Sequence, residues 1–196
     1  MKRWTVNGVP SPAQIEEIAA LLASGGVVLM PTDTIYGLHA VYGSDAVRRV
    51  AQMKGRDESK HFVTIAASAD QARTLGGVDL PDILASIWPA PMTAILARDT
   101  ETIAVRVPNL DWLRSLLERT GPLISTSANR SGEPSITTPN ELAQHLQNAL
   151  DGIVDAGPCE GKASAIVDFT GERPRVVREG DSRFTQFLRK TLRKTL

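Results

Sequence analysis

Apolar residues along the first two thirds of the chain follow two alternating patterns, one typical of helices and one of buried strands. Residues 15, 18, 19 and 22 are apolar and recur at helical spacing behind Ser11-Pro12, and Gly25-Gly26 follows them. Serine at the N-cap, proline at the first helical position and glycine beyond the last turn are the usual boundaries of a helix. The apolar run 27–30 then predicts a buried strand, which leads into a polar loop over residues 31–38.

The same alternation continues to about residue 150 and is followed by clustered strands. Further helices are predicted over residues 44–56, 82–88, 109–121, 139–150 and about 182–196, and further strands over residues 3–6, 61–67, 92–97, 102–107, 122–127, 152–157, 164–169 and 174–179. Together these elements predict a single α/β domain over residues 1–196, built around a mixed sheet, with no linker and no internal repeat.

Composition narrows the class of protein without identifying an activity. Of the 196 residues 42% are hydrophobic, and Lys plus Arg and Asp plus Glu both number 22, so net charge does not point to nucleic acid or membrane. Cys159 is alone and the three histidines are scattered, which excludes an internal disulfide framework and the common zinc motifs. No run approaches the ~20 apolar residues of a membrane span, so we expect a cytoplasmic protein without membrane contact.

Two polar clusters follow predicted elements, at positions where α/β sheets bind ligands. Pro31-Thr32-Asp33-Thr34 either forms a tight turn that satisfies its own backbone or holds a small polar ligand with its hydroxyls and amides. Lys54-Gly55-Arg56, with Lys60 behind it, is either a solvated helix end that complements the helix dipole or a polyphosphate site. The residues alone leave both alternatives open.

Two further signals lie within predicted strands. Strand 122–127 ends in the donors of Ser125-Thr126-Ser127-Ala128-Asn129, without a G-x-S-x-G motif and without a histidine evident as a base. Donors around an anion are therefore a better interpretation than a nucleophilic serine. Arg106 lies in an apolar strand, where a charge is costly unless it is paired. It either faces water from an edge strand or clamps a ligand carboxylate.

These signals combine cations with neutral donors, and neither a Walker A motif nor a G-x-G-x-x-G motif nor a pair of carboxylates accompanies them. That combination favours chemistry on an already activated phosphate, where positioning and charge neutralisation supply most of the catalysis.

Seven motifs, in their order along the chain, resemble the YrdC/TsaC family of threonylcarbamoyl-AMP synthases. They are PTDTIYGL, KGR, WPAPMT, AVRVP, STSAN, SAIVDF and VVREG, between about residues 11 and 181. The resemblance implies a YrdC-like fold, a twisted, open mixed sheet with flanking helices and a deep, basic concave pocket. It also implies a nucleotidyltransferase, an L-threonylcarbamoyladenylate synthase that makes threonylcarbamoyl-AMP and pyrophosphate from L-threonine, bicarbonate or CO2, and ATP, for threonylcarbamoyladenosine modification of tRNA.

The resemblance assigns site residues as well. The catalytic set that it implies is Lys54, Arg56, Ser127 and Asn129. Beside threonine it places Thr32, Arg106, Ser125 and Ser164. Beside ATP it places Lys54, Arg56, Thr102, Ser127, Asn129, Ser135 and Arg178. ATP is implied as a substrate, with Mg²⁺ expected alongside it, and neither a dedicated metal site nor a tightly bound organic cofactor is implied.

The sequence departs from the usual family pattern at four places. Residues 57–62 read DESKHF, where the family has a Pro, Asp-Asn-Pro-Leu and a later His. His39 follows YGL in place of a Gly, Ala90 replaces the Gly of PGP, and Ala165 stands where Thr is common. These departures concern the detail of substrate binding rather than the fold.

The implied partner is a downstream tRNA threonylcarbamoyl transferase, and the sequence leaves open whether the protein itself contacts tRNA. A hypothesis of a different class is a YrdC-fold protein that binds nucleotide or RNA without this synthase activity. The presence of Lys54, Arg56, Ser127 and Asn129 favours the enzyme.

The C-terminal helix is predicted to be amphipathic and basic. Its apolar stripe comprises Phe184, Phe187, Leu188, Thr191 and Leu192. Four cations lie off this stripe, namely Arg189, Lys190, Arg193 and Lys194. They form either a solvated face or a docking patch for tRNA or the transferase.

Overall fold

The computed structural model describes residues 1–55, 61–129 and 134–194, and these form one ten-stranded mixed sheet with flanking helices. The strands are β1 (Lys2–Thr5), β2 (Val28–Pro31), β3 (Tyr36–Val41), β4 (Val63–Ile65), β5 (Met92–Arg98), β6 (Glu101–Arg106), β7 (Leu123–Ser127), β8 (Gly152–Asp155), β9 (Ala165–Asp168) and β10 (Arg175–Arg178). The helices are α1 (Pro12–Ala23), α2 (Ala46–Lys54), α3 (Ala69–Arg73), α4 (Ile83–Ile87), α5 (Asp111–Thr120), α6 (Gln144–Gln147) and α7 (Ser182–Lys194), with a 3₁₀ helix over Pro139–Glu141. The predicted α/β fold with a mixed sheet is confirmed.

The strand order brings the polar signals of the sequence to the middle of the sheet. It runs β1-β8-β2-β3-β7-β4-β6-β5-β9-β10. β7 pairs antiparallel with both β3 and β4, and β4 pairs parallel with β6. The end of β7 pairs with the start of β3, and the side chain of Arg106, at the end of β6, reaches Thr34 in the loop between β2 and β3. Residues that are far apart in sequence therefore face one region of the sheet.

Both faces of the central sheet are covered, which explains the continuous apolar runs of its strands. On β2 alternate residues point to opposite faces, so Val28 and Met30 pack with α1 and α5, whereas Leu29 packs with α2 and α6. α1 begins as predicted, because the Ser11 hydroxyl accepts from the backbone of Gln14 and the Gln14 side chain accepts from the backbone of Ser11.

The prediction of one helix over residues 139–150 is wrong. A 3₁₀ helix and α6 are separated by Leu142 and Ala143, whose ψ angles of 130° and 138° are extended. The Gln147 side chain donates to the carbonyl oxygen of Leu142 at 2.7 Å, which replaces a helical hydrogen bond there. The break lets both Leu142 and Leu146 enter the core, so tertiary packing overrides helix propensity.

Two other boundaries differ from the prediction. The predicted polar loop extends to Leu38, whereas β3 already begins at Tyr36 and continues to Val41. YGLHAV is buried almost throughout and lacks the alternation that marks a half-buried strand. The N-cap of α2 is Asp45, and the predicted cap Ser44 instead donates to the carbonyl oxygen of Val41 at 2.7 Å.

α7 forms where predicted, but its buried face differs from the predicted stripe. Leu188 and Leu192 are buried together with Thr185, whose hydroxyl accepts from the backbone of Gly180, whereas Phe187 is 51% exposed. Arg189, one of the predicted surface cations, lies 2.6 Å from Glu179 in an exposed ion pair. None of the described helices is long and apolar enough to cross a membrane.

Candidate functional site

A pocket of about 460 Å³ opens beside the central strands, within the ~300–1,000 Å³ that small-molecule sites usually have. Its wall is rich in hydroxyls and guanidinium groups, and apolar side chains such as Ile65 and Ile166 line the remainder. Seven residues that the sequence singled out contribute to this wall, namely Thr32, Arg106, Ser125, Ser127, Ser135, Ser164 and Arg178.

Arg106 is the buried cation of this pocket. It is 6% exposed and β6 lies between β4 and β5, so the alternative of an edge strand facing water is wrong. Its guanidinium forms an ion pair with Asp33 and donates from Nη1 to Thr34 Oγ1 at 2.9 Å. Burial lowers the pKa of Arg106, and the Asp33 carboxylate opposes that shift.

The Nε–H of Arg106 makes no hydrogen bond within the described residues, although the atom is buried. An unsatisfied buried donor costs about 1–3 kcal/mol or more when it is charged. A ligand oxygen that enters the pocket beside Arg106 would satisfy it. Asp33 also accepts a hydrogen bond from the backbone N–H of Asn109 at 3.0 Å, so the carboxylate that pairs with Arg106 is itself fixed.

The loop between β2 and β3 satisfies its own backbone and lines the pocket at the same time. Thr32 Oγ1 accepts from the backbone of Thr34 at 3.2 Å, donates to the carbonyl oxygen of Ile35 at 3.0 Å and lies 2.8 Å from Thr34 Oγ1. A Cβ atom at Gly161 would lie 1.8 Å from the carbonyl oxygen of Thr34. The chain at Gly161 therefore packs so closely against the loop between β2 and β3 that only glycine fits there.

Lys54 of the KGR motif forms hydrogen bonds with the STSAN motif, from which it is far apart in the sequence. Its ammonium donates to the carbonyl oxygens of Ser127, at 2.6 Å, and of Asn129, and lies 3.3 Å from Asn129 Oδ1. Lys54 is 8% exposed, so a solvated helix end is the wrong interpretation for this residue. Lys54 is not among the residues that line this pocket, and Arg56 lies outside the described residues.

The two sides of the predicted site meet at Ser164. Thr93 is fully buried, and its hydroxyl lies 2.9 Å from Ser164 Oγ. Arg178 donates to the carbonyl oxygen of Ser164 from Nε, at 3.1 Å, and from Nη2, at 2.8 Å. Ser164, which is predicted beside threonine, therefore contacts Arg178, which is predicted beside ATP.

The family resemblance assigns Ser164 to L-threonine, and on that assignment changing Thr93 to valine should weaken threonine binding about fivefold. Valine keeps the shape but removes the hydrogen bond that orients Ser164, worth about 1 kcal/mol. Thr93→Ser, which keeps the hydroxyl, should bind threonine nearly as the unchanged protein does. Calorimetric titration of threonine into both variants measures the difference. Equal affinities for the valine and serine variants would show that this hydroxyl does not support the site.

Ser125 has a histidine beside it that the sequence did not reveal. His39 Nε2 lies 3.1 Å from Ser125 Oγ, because β3 and β7 place the two residues directly opposite each other. No histidine is evident as a base in the sequence beside these serines, and strand register brings His39 to this position. Burial lowers the pKa of His39 to about 4, so the imidazole is a weak base and a donor site remains the better interpretation.

Three described residues of the predicted set do not line this pocket, namely Lys54, Asn129 and Thr102, and several site residues were missed. Thr102 lines a neighbouring cavity of about 400 Å³, which shares His61 with the first pocket. The missed residues that line the pocket or hold its side chains are Asp33, Thr34, His39 and Thr93. Asp33 and Thr34 belong to the PTDTIYGL motif, whereas the contacts of His39 and Thr93 depend on strand register.

Comparison with known proteins identifies relatives over most of the chain. The Sua5/YciO/YrdC family, described as "Telomere recombination", matches residues 20–180. A protein of Bacillus subtilis (strain 168) named threonylcarbamoyl-AMP synthase is 32% identical over 201 residues, which cover 91% of this chain and 58% of the relative. A protein of the same name from Pseudomonas aeruginosa (strain PAO1) is 34% identical over 151 residues, covering 69% of this chain and 81% of that one.

Solved structures agree with this relationship. Pyrococcus abyssi Sua5 complexed with L-threonine superposes with a TM-score of 0.83 at 29% identity, over 92% of this chain and 58% of that one. Escherichia coli YciO shares the fold, with a TM-score of 0.80 at 24% identity over 92% of this chain and 97% of that one. The chain spans little more than half the length of the Bacillus and Pyrococcus relatives. On the extent of these matches, the chain belongs to the Sua5/YciO/YrdC family.

Proposed function

We propose that this protein is an L-threonylcarbamoyladenylate synthase, a nucleotidyltransferase that uses L-threonine, bicarbonate or CO2, and ATP. The observation that carries the proposal is the pocket in which buried Arg106 and a ring of hydroxyls face one cavity. Relatives named threonylcarbamoyl-AMP synthase and a related structure with bound L-threonine support the same assignment.

The threonine side of the site consists of Thr32, Arg106, Ser125 and Ser164. Arg106 recognises the substrate carboxylate, for which a planar guanidinium is well suited because it offers several parallel donors. Its unsatisfied Nε–H is available for this contact while Asp33 and Thr34 hold the other two nitrogens. The three hydroxyl side chains bind the remaining polar groups of the amino acid.

The nucleotide side consists of Lys54, Arg56, Thr102, Ser127, Asn129, Ser135 and Arg178. The threonine amine adds to CO2 and releases one proton to give the carbamate. With bicarbonate as the source, that proton leaves together with the bicarbonate hydroxyl as water. A carbamate oxygen then attacks the α-phosphate of ATP, and pyrophosphate leaves with the electron pair of the broken P–O bond. Lys54, Arg56, Ser127 and Asn129 hold the phosphates in line and stabilise the charge that develops.

ATP brings Mg²⁺ with it in this proposal, and the cation is part of the nucleotide substrate. Among the described residues no group of three or more His, Cys, Asp or Glu side chains could hold a metal ion, so we assign no protein ligand to it. The product is an activated carbamoyl group, which a downstream tRNA transferase in the cytoplasm consumes. Direct contact of this protein with tRNA is a separate hypothesis.

Release of pyrophosphate from ATP tests the proposal. It should require both L-threonine and bicarbonate, and omission of either should reduce the rate to background. A nucleotide- or RNA-binding protein of the same fold would instead show salt-sensitive RNA affinity and no such turnover. ATP hydrolysis that is independent of threonine would also contradict the proposal.

A further inference from the structure

His39 is a completely buried histidine whose side chain contacts a hydroxyl of the pocket. It lies on β3 directly opposite Ser125 of β7, so both side chains project from the same face of the sheet. Nε2 lies 3.1 Å from Ser125 Oγ, whereas Nδ1 makes no hydrogen bond within the described residues. Ser125 itself lines the pocket.

The ring of His39 is fixed by its surroundings. A side chain at Gly37 would lie 3.0 Å from its Cε1 atom, so the ring fits against a position that has no Cβ. Burial, with a smaller contribution from the charge of Arg106, lowers the pKa of His39 to about 4, and the ring is neutral near pH 7. A neutral imidazole has one donor and one acceptor nitrogen, and the one that faces Ser125 can hydrogen-bond to its hydroxyl.

A polar ring at this position has a cost that an apolar side chain would not have. A buried polar atom without a partner is unfavourable, and Nδ1 has none among the residues that the structure describes. Backbone groups of Gly37 and Val28 also stabilise the ring, and Ser125 is its contact on the pocket wall. A serine hydroxyl otherwise samples three staggered rotamers, and a fixed partner selects among them.

We propose that His39 is a positioning residue, which holds the Ser125 hydroxyl in the orientation that binds L-threonine. The inference rests on the proposed function, because it names threonine as the ligand of this hydroxyl. His39 does not touch the substrate and acts through Ser125. Its effect is therefore on the affinity for threonine and not on the affinity for ATP.

Calorimetric titration of L-threonine into the full chain and its variants tests this role. His39→Leu removes the hydrogen bond and should weaken threonine binding about fivefold, the equivalent of about 1 kcal/mol. His39→Gln, whose terminal amide reaches as far as Nε2, should restore most of the affinity. Ser125→Ala should weaken binding similarly, and adding His39→Leu to it should cause no further loss, because the two residues act through one contact.

Three comparisons make the test specific. His39→Asn keeps a polar group in the core but is too short to reach Ser125, so it should behave as His39→Leu does and replaces that variant if leucine prevents folding. His145→Gln changes an exposed histidine of α6 and should leave the affinity unchanged. ATP affinity should be the same in all variants.

The outcomes separate this inference from the proposed function. Unchanged threonine affinity in His39→Leu or His39→Asn, or additive losses in the double variant, would overturn the role of His39 and leave the synthase proposal intact. A glutamine variant as weak as the leucine variant would overturn it as well. Absence of threonine binding by the unchanged protein, with or without ATP, would contradict the proposed function and this inference with it.

Discussion

Replacing Arg106 with lysine should lower kcat/KM for L-threonine about 100-fold and leave the KM for ATP nearly unchanged. Lysine keeps a positive charge beside Asp33 but loses the planar fork, and hydrogen bonds to charged groups contribute about 1.5–3 kcal/mol each. Because a cation remains next to the buried carboxylate, the variant should stay folded. Steady-state kinetics with each substrate varied in turn measures both parameters.

Arg119→Lys is the matched control for this prediction. Arg119 lies on α5 and forms an exposed ion pair with Glu16 at 2.6 Å, and it lines neither the pocket of Arg106 nor the neighbouring cavity. Its replacement should leave kcat/KM for threonine within about twofold, the effect of a weak polar contact. A rise in the KM for ATP on Arg106→Lys, without one for threonine, would mean that Arg106 belongs to the nucleotide side.

Lys54→Met should reduce adenylate formation about 100-fold and also lower the melting temperature. Methionine retains the apolar stem, but the carbonyl oxygens of Ser127 and Asn129 lose a buried cationic donor. The turn at the end of β7 then loses its fixed position, and the phosphates lose a positive charge. The loss of stability follows from burial, since an exposed helix-end cation would contribute little.

Initial rates of pyrophosphate release and thermal melting measure these two effects separately. Lys190→Met, at an exposed position on α7, is the control for loss of one positive charge and should change neither quantity. Near-normal turnover by Lys54→Met would remove Lys54 from the catalytic set. A normal melting temperature would mean that its contacts with the β7 end do not stabilise the fold.

The sequence was sufficient for most of the sheet because its strands are buried on both faces. Apolar runs such as 27–30 and 92–97 are typical of strands buried on both faces, and the turn residues between them mark their ends. β3 was missed for a physical reason. It begins with Tyr36 and Gly37 and carries His39, so its burial depends on neighbours in the sheet rather than on its own hydrophobicity.

The same distinction applies to the candidate site: some of its residues lie in continuous sequence motifs, and others come together only in the folded sheet. Thr32 and Ser127 were predicted because they lie in the PTDTIYGL and STSAN motifs, which carry the family resemblance. The supporting contacts were not, since they join residues that are 86 apart, for His39 and Ser125, or 71 apart, for Thr93 and Ser164. Only strand register places them together. The burial of Lys54 is likewise a tertiary effect, because a charged residue at a helix end ordinarily faces water.

Incubation of the protein with ATP, L-threonine and bicarbonate that carries a heavy carbon isotope tests the central claim most directly. Mass spectrometry of the products should reveal threonylcarbamoyl-AMP with the heavy carbon in its carbamoyl group, and only when all three substrates are present. Absence of this mixed anhydride under conditions in which the protein is folded and binds ATP would contradict the assignment as a synthase.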